Sequence, residues 1–192
     1  MKKRSFLVAA AGALMLTACA TSTTGSGSSS SDPASKRAGI DTAVDGALSS
    51  LYTQVAGSRD LVDKASGVLV FPSVVSAGFV IGGSYGTGAL RVGGKTNGYY
   101  STTAGSVGLL AGADSKAVYI LFMTPDALAK FQASDKGWTA GADASVTALS
   151  VGASATANTE LSKQPVVGYV LNKGGLMANL SLDGTKIARL DL

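Results

Sequence analysis

The 192-residue chain contains no histidine and a single cysteine, and only 6% of its residues are aromatic. Without histidine, the usual general base and the commonest metal ligand are both missing. The lone Cys19 cannot close an internal disulfide. No lysine stands three residues after a serine, so a Ser-x-x-Lys nucleophile pair is absent. The acidic residues never gather at calcium-loop spacing. These absences lead to the expectation of a non-enzymatic protein with no metal and no cofactor. The scarcity of aromatics, with continuous apolar runs such as "VYILFM", also argues against a transmembrane β-barrel, whose strands alternate and carry aromatic girdles.

The excess of basic residues is slighter than the formal net charge of +4 suggests. Lys2, Lys3 and Arg4 precede an apolar segment from Phe6 to Leu16, the basic and hydrophobic regions of a secretory leader. That segment is far short of the ~20 residues of a spanning helix. Removing residues 1–18 leaves 13 basic residues against 12 acidic ones. The longest basic run left is Lys36-Arg37, too little for a nucleic-acid surface.

The segment ends in Leu16-Thr17-Ala18-Cys19, similar to the lipobox of bacterial lipoproteins. A branched apolar residue and two small ones lead there to a cysteine that accepts a diacylglyceryl group. Two or more acyl chains hold a protein stably on a bilayer, where one alone is marginal. Ala20, instead of an aspartate, favours the outer membrane, facing the periplasm, in a cell with two membranes. Residues 20–35, "ATSTTGSGSSSSDPAS", have the composition of a flexible tether spanning about 20–25 Å as a coil. The expected organisation is a leader at 1–18, an acylated N-terminus and tether at 19–35, and one globular domain at 36–192.

Within the domain, Ile40, Val44, Leu48, Leu51 and Val55 fall on one helical stripe of residues 40–56. Asp41, Asp45, Ser49 and Thr53 share another face. Gly57 ends or kinks that helix, and Ser58 is placed to cap a second one at 58–65. "GVLVFP" (67–72) reads as a buried strand closed by Pro72, and glycine-rich strand sequence follows through residue 112. "KAVYILFM" (116–123) is the strongest strand. Thr124-Pro125 opens a helix as N-cap and first helical residue. "VVGYVL", "GLMANLSL" and "TKIARLDL" read as three closing strands, with Asp183-Gly184 as a hairpin signal between the last two. The fold class is α+β: β-rich, mainly antiparallel, with an N-terminal helical segment and one or two further helices.

Two glycine motifs are rejected as nucleotide loops. "GALRVGGKT" (88–96) has five residues, not four, between Gly88 and Gly94, and "NGYY" after it reads as a turn, so no helix faces a phosphate. "GGSYGTG" sits in strand sequence, outside a Rossmann context. Its Gly82 and Gly83 are expected at bulges or close sheet contacts.

Two segments, 64–90 and 104–131, together resemble the SYLF domain family. Gly67, Phe71-Pro72, Gly78-Phe79, Gly82-Gly83, Tyr85-Gly86 and Gly88 fit its first motif, and Ser106-Val107-Gly108 its later Ser-Val-Gly. "YYSTTAG" and "GLLAG" stand where family members often carry Pro-Ala-Phe and Gly-x-Gln-x-Gly. The resemblance implies lipid binding, with phosphoinositide and actin-related roles in eukaryotic members and lipoprotein forms in bacteria.

The resulting expectation is a lipid-anchored envelope protein, acylated at Cys19, whose domain binds membrane phospholipid. Lys36, Arg37, Arg59 and Lys64, flanking the 40–56 stripe, are the headgroup candidates, since a cation near anionic lipid contributes ~1 kcal/mol. The alternative is a structural or partner-binding lipoprotein without a lipid ligand, its stripe packed on the sheet. No particular protein partner can be read from the sequence.

Overall fold

The computed structural model describes residues 32–78, 81–107, 112–134, 137–148, 163–172, 175–176 and 182–192. The leader, Cys19 and most of the tether segment lie outside the described residues. Ser31–Leu192 forms one compact unit. Its elements are α1 (Pro33–Gln54), α2 (Ser58–Lys64), β1 (Gly67–Gly78), β2 (Ile81–Val92), β3 (Lys95–Val107), β4 (Gly112–Phe122), α3 (Pro125–Gln132), β5 (Trp138–Thr139), β6 (Thr147–Ala148), β7 (Val166–Asn172), β8 (Gly175–Leu176) and β9 (Lys186–Leu190). The strands form one sheet in the order β5-β9-β3-β2-β1-β4-β7-β6, with β8 on β7. Every pairing is antiparallel except β6 with β7. The α+β expectation holds.

The continuous apolar runs are explained by a sheet that is buried on both faces. Along β4, Val118, Ile120 and Phe122 enter one core, with Leu69, Phe71, Leu90, Tyr100 and the α3 residues Leu128 and Phe131. Tyr119 and Leu121 enter the other, with Val68, Val70, Tyr169 and the α1 residues Val44 and Leu51. The ring of Phe131 lies 4.7 Å from that of Phe122 and 5.7 Å from that of Trp138, so α3 is seated by aromatic contacts. Ile40, Leu48 and Val55 pack against the second core, so the whole apolar stripe of α1 is spent on the sheet.

The helix extends further back than the stripe. Asp32 Oδ1 accepts from the Ala34 amide, and Pro33 fits the first turn, where a missing N–H costs nothing. Thr124 caps α3 through the Ala127 amide, as expected. Ser58 behaves differently from expectation. Gly57, at φ 77°, holds the N-cap position of α2, and no side chain caps it. The buried Ser58 hydroxyl instead reaches back to the Leu51 and Val55 carbonyls, at 3.1 and 2.7 Å. It satisfies the end of α1, whose last carbonyls lack partners.

Pro72 does not close β1; the strand runs on to Gly78. Register shifts between Val70 and Ser73 toward β2, and between Phe71 and Val74 toward β4, place it in a bulge, where a residue without an N–H is tolerated in a central strand. Glycine is required opposite that bulge. A Cβ on Gly88 would lie 1.9 Å from the Val70 carbonyl oxygen, and one on Gly86 2.8 Å from that of Ser73. Gly82 and Gly83 are not at a bulge, because the β1–β2 ladder keeps register from Ser73 to Gly78. A Cβ on Gly83 would meet nothing nearer than 3.9 Å. The close contacts are thus three to five residues further along the same strand.

Gly93 and Gly94, at φ 56° and 76°, make the two-residue turn between β2 and β3, which is why they resemble a phosphate loop without being one. "NGYY" belongs to β3, with a register shift near Asn97, and is not a turn. Asp183-Gly184 does turn the chain, with the Thr185 amide donating to Leu182. It does not make the expected hairpin: β9 is flanked by β3 and β5, and β8 pairs with β7.

Gly88→Ala should therefore destabilise the domain by about 2–3 kcal/mol through overpacking. Gly83→Ala should be neutral or slightly stabilising, since the added methyl has room and restricts the unfolded chain. Urea denaturation of both variants checks this pair, and equal losses would contradict it.

Candidate functional site: a groove beside the first helix

Alternation along β2 sends Tyr85, Thr87, Ala89 and Arg91 to the face that carries α1. The helix covers Ala89 fully but leaves Tyr85 54% exposed, beside its register partner Val75 at 49%. A groove of about 620 Å³ runs along the uncovered strip. Its walls are Ser35, Lys36, Gly39, Ile40 and Ala43 from α1, Pro72 and Ser73 from β1, and Tyr85 and Thr87 from β2. Leu190 of β9 and Leu192 close one end. A smaller hollow of about 320 Å³ lies on the other flank of α1, sharing Ala43 and Pro72 but bordered by Ser50, Gln54, Lys116 and Asn172.

Lys36 and Arg37 stand at this groove. Lys36 lines it, and Arg37 donates to the Leu192 carbonyl oxygen at 2.8 Å. Both lie near the N-terminus of α1, whose first turn has no acidic residue. At the fourth and fifth helical positions they gain nothing from the helix dipole, which fades beyond the first turn, and the Asp32 cap already supplies a carboxylate at that end. Arg59 and Lys64 lie on α2, beyond the other end of α1. Lys36 and Gln54 alone are separated by about 27 Å of helix rise. The Arg59 guanidinium sits 4.2 Å from the centre of the Tyr52 ring, and Lys64 occupies the last turn of α2, where the dipole favours it. The four cations therefore form two separate pairs, and only the first borders the groove.

Two aspartates of α1 reach across to β2 and β3. Arg91 of β2 donates to Asp45 Oδ1 at 2.6 Å and lies 3.5 Å from Asp41 Oδ1. The hydroxyls of Thr96 and Tyr99 donate to the two oxygens of Asp41 at 2.7 and 2.9 Å. Burial raises the Tyr99 pKa, and its hydrogen bond to Asp41 adds to the effect. These contacts fix the angle at which α1 crosses β2 and β3, and so the width of the groove. A hint existed in the sequence: two aspartates four residues apart on a helix, and one arginine at a helix-facing position of β2.

A fourth tie lies under the middle of the helix, where the buried Tyr119 hydroxyl donates to the Ala47 carbonyl at 2.8 Å. Its strand partner Tyr169 is equally buried, and its hydroxyl finds no partner among the described residues. Burial pushes the pKa of each up to about 12.

Among the described residues there is no cluster of metal-ligating side chains, and no helix there is long and apolar enough to cross a membrane. The class is thus an α+β domain on a curled, two-faced antiparallel sheet with an apolar surface groove. The model of the Ysc84 (SYLF) family, described as "Las17-binding protein actin regulator", matches residues 103–191, so the SYLF resemblance holds over that part of the chain. No curated protein matches the chain. Of the groove walls, Leu190 falls inside the matched span.

The two tyrosines give a pH dependence of defined sign. A phenol whose folded pKa is raised above its ordinary value near 10 stabilises the fold below pH 10, and that stabilisation is lost as pH climbs toward 12. Each contributes on the order of 2 kcal/mol. Urea midpoints should fall steeply between pH 10 and 12, and the fall should flatten in the Tyr119→Phe/Tyr169→Phe protein. At neutral pH, Tyr119→Phe should cost about 1 kcal/mol and Tyr169→Phe nothing.

Proposed function

We propose that the chain is a bacterial envelope lipoprotein, anchored through acylated Cys19 and most naturally placed at the outer membrane, whose SYLF domain binds phospholipid. The observation that carries the reading is the groove: an apolar strip of about 620 Å³ with Lys36 on its wall and Arg37 bonded to Leu192, another of its walls. An acyl chain suits the strip between Ile40, Pro72 and Tyr85, and an anionic headgroup suits the two cations and the amide end of α1. Arg59 and Lys64 are too distant to share that headgroup. Most of the apolar stripe of α1 packs on the sheet, and of its residues Ile40 also lines the groove.

A second reading draws on the family's description, which names binding to a protein, Las17, and actin regulation. The exposed pair Val75 and Tyr85 on an open stretch of sheet would then be a protein-docking surface.

Residues 32–192, made without acyl chains, should bind anionic vesicles weakly, and salt should weaken that binding further as the Debye length shrinks from ~10 Å at 0.1 M to ~3 Å at 1 M. Lys36→Ala and Arg37→Ala should each reduce it about fivefold, at ~1 kcal/mol per cation, while Arg59→Ala and Lys64→Ala leave it unchanged. Failure of the folded domain to bind either anionic or neutral vesicles would transfer support to the protein-docking reading.

The anchor has its own test. Cys19→Ala should move the full-length protein out of the membrane fraction and abolish its labelling by palmitate. Retention of the substituted protein on membranes would remove the lipoprotein reading.

A further inference from the structure

We propose that, when the domain stands off the bilayer, the groove beside α1 houses one of the protein's own acyl chains, carried on Cys19. This rests on the lipoprotein reading and names the groove's first occupant. The size of the groove, about 620 Å³, falls within the ~300–1,000 Å³ typical of small-ligand sites. Its middle is apolar, formed by Ile40, Pro72, Tyr85 and Leu190. Lys36 at the wall is a donor suited to the ester or amide carbonyl at the head of an acyl chain.

The position of the groove selects this occupant over others. Ser35 is the third residue of α1 and already part of the wall, so the chain coming from Cys19 enters the fold at the groove itself. Residues 20–31 are all that separate Cys19 from the Asp32 cap of α1, and a Gly/Ser-rich coil of that length would span about 17–21 Å. An acyl chain on Cys19 would therefore meet the groove at an effective concentration of the order of millimolar. A lipid arriving from solution has no such advantage. The exposed Val75 and Tyr85 give the same occupant apolar surface to cover where the groove opens onto the sheet. On the bilayer, the acyl chains transfer into the membrane and the groove is vacated for phospholipid.

Gly39 offers a clean way to close the site. It lines the groove, and a Cβ there would meet nothing within 4 Å, so Gly39→Leu fills space without displacing the core and favours the helix. Gly46 has equally open surroundings but does not line the groove, which makes Gly46→Leu the control. The processed chain 19–192 has one thiol, and that thiol can be alkylated with a palmitoyl probe bearing a diazirine. Irradiated in detergent-free buffer, the monomer should crosslink to peptides containing Ile40, Tyr85 or Leu190. The yield should fall about tenfold or more in Gly39→Leu, the scale on which a pocket discriminates by a methylene or two, and stay unchanged in Gly46→Leu. The same probe, unattached and equimolar at micromolar concentration, should label these peptides about a hundredfold less.

Crosslinks scattered over the surface, or undiminished in Gly39→Leu, would overturn the proposal. Equal labelling by the unattached probe would also overturn it, in favour of a free-lipid site. Palmitate labelling in cells separates the two levels: an unlabelled Cys19 refutes the lipoprotein reading and removes the occupant, whereas a labelled Cys19 with no groove crosslinks refutes the groove assignment alone.

Discussion

The arrangement of this domain depends on one constraint, that the central strands are apolar on both sides. Leu69 and Phe71 point one way from β1 and Val68 and Val70 the other, and all four are buried. Burying one such face needs a covering layer, and burying both needs two. α3, Trp138 and Leu182 supply one layer; α1 and α2 supply the other. The strands are longer than the cover. Twelve residues of β1 extend about 40 Å, and α1 crosses them with a width of about 10 Å. Beyond the crossing, the sheet changes from Val, Leu and Tyr to Ser, Gly, Ala and Thr, which need no cover. The groove marks the boundary between these regions, where Tyr85 and Val75 remain apolar but uncovered.

Polar contacts give this packing its geometry. Apolar burial is nondirectional and would tolerate α1 at several angles. Asp41 and Asp45 against Arg91, with Thr96 and Tyr99 completing the acceptors of Asp41, select one. Tyr119 adds a tie to the helix backbone itself. Arg91 is largely withdrawn from solvent, with 14% of its side chain exposed, while Asp45 is 70% exposed. The pair with Asp45 is therefore screened and modest in energy. Its contribution is to direction, and it sits over the strand pair next to the groove.

The sequence was legible where one residue type has one local meaning. Thr124-Pro125 opened a helix and the run around Val118 made a strand; Gly57, expected to end the first helix, instead starts the second, three residues after α1 stops at Gln54. Legibility failed where meaning depends on a distant partner. Ser58 reads as a cap for the helix it starts, yet its hydroxyl serves the helix before it. Asp183-Gly184 turns the chain, but its outgoing strand is claimed by β3 and β5. Of the glycines in β2, those that must be glycine are set by the bulge at Pro72 on a neighbouring strand, a position that no local pattern reveals. The four candidate cations looked like one set flanking a stripe, because a sequence does not show that 22 residues of helix hold them apart. The groove was illegible for the same reason: its walls come from four elements scattered between residues 35 and 192.

Lys36 and Arg37 join the fold to its proposed role. The Asp32 carboxylate caps the N-terminus of α1, and Lys36 and Arg37 follow one turn on, two cations against that one anion. The positive ends of the amide dipoles and two side-chain charges accumulate at one place. Arg37 already donates to the Leu192 carbonyl, so a backbone oxygen from the end of the chain takes part of that donor capacity. Lys36 faces the groove without comparable demands on it from the fold. An anionic headgroup beside the groove would relieve the accumulated charge, and the relief would be greatest at low ionic strength. The apolar strip next to it carries no charge and would be indifferent to salt. The two parts of the site would thus answer to different forces, which is what the proposed phospholipid ligand, with an apolar chain and an anionic head, would require.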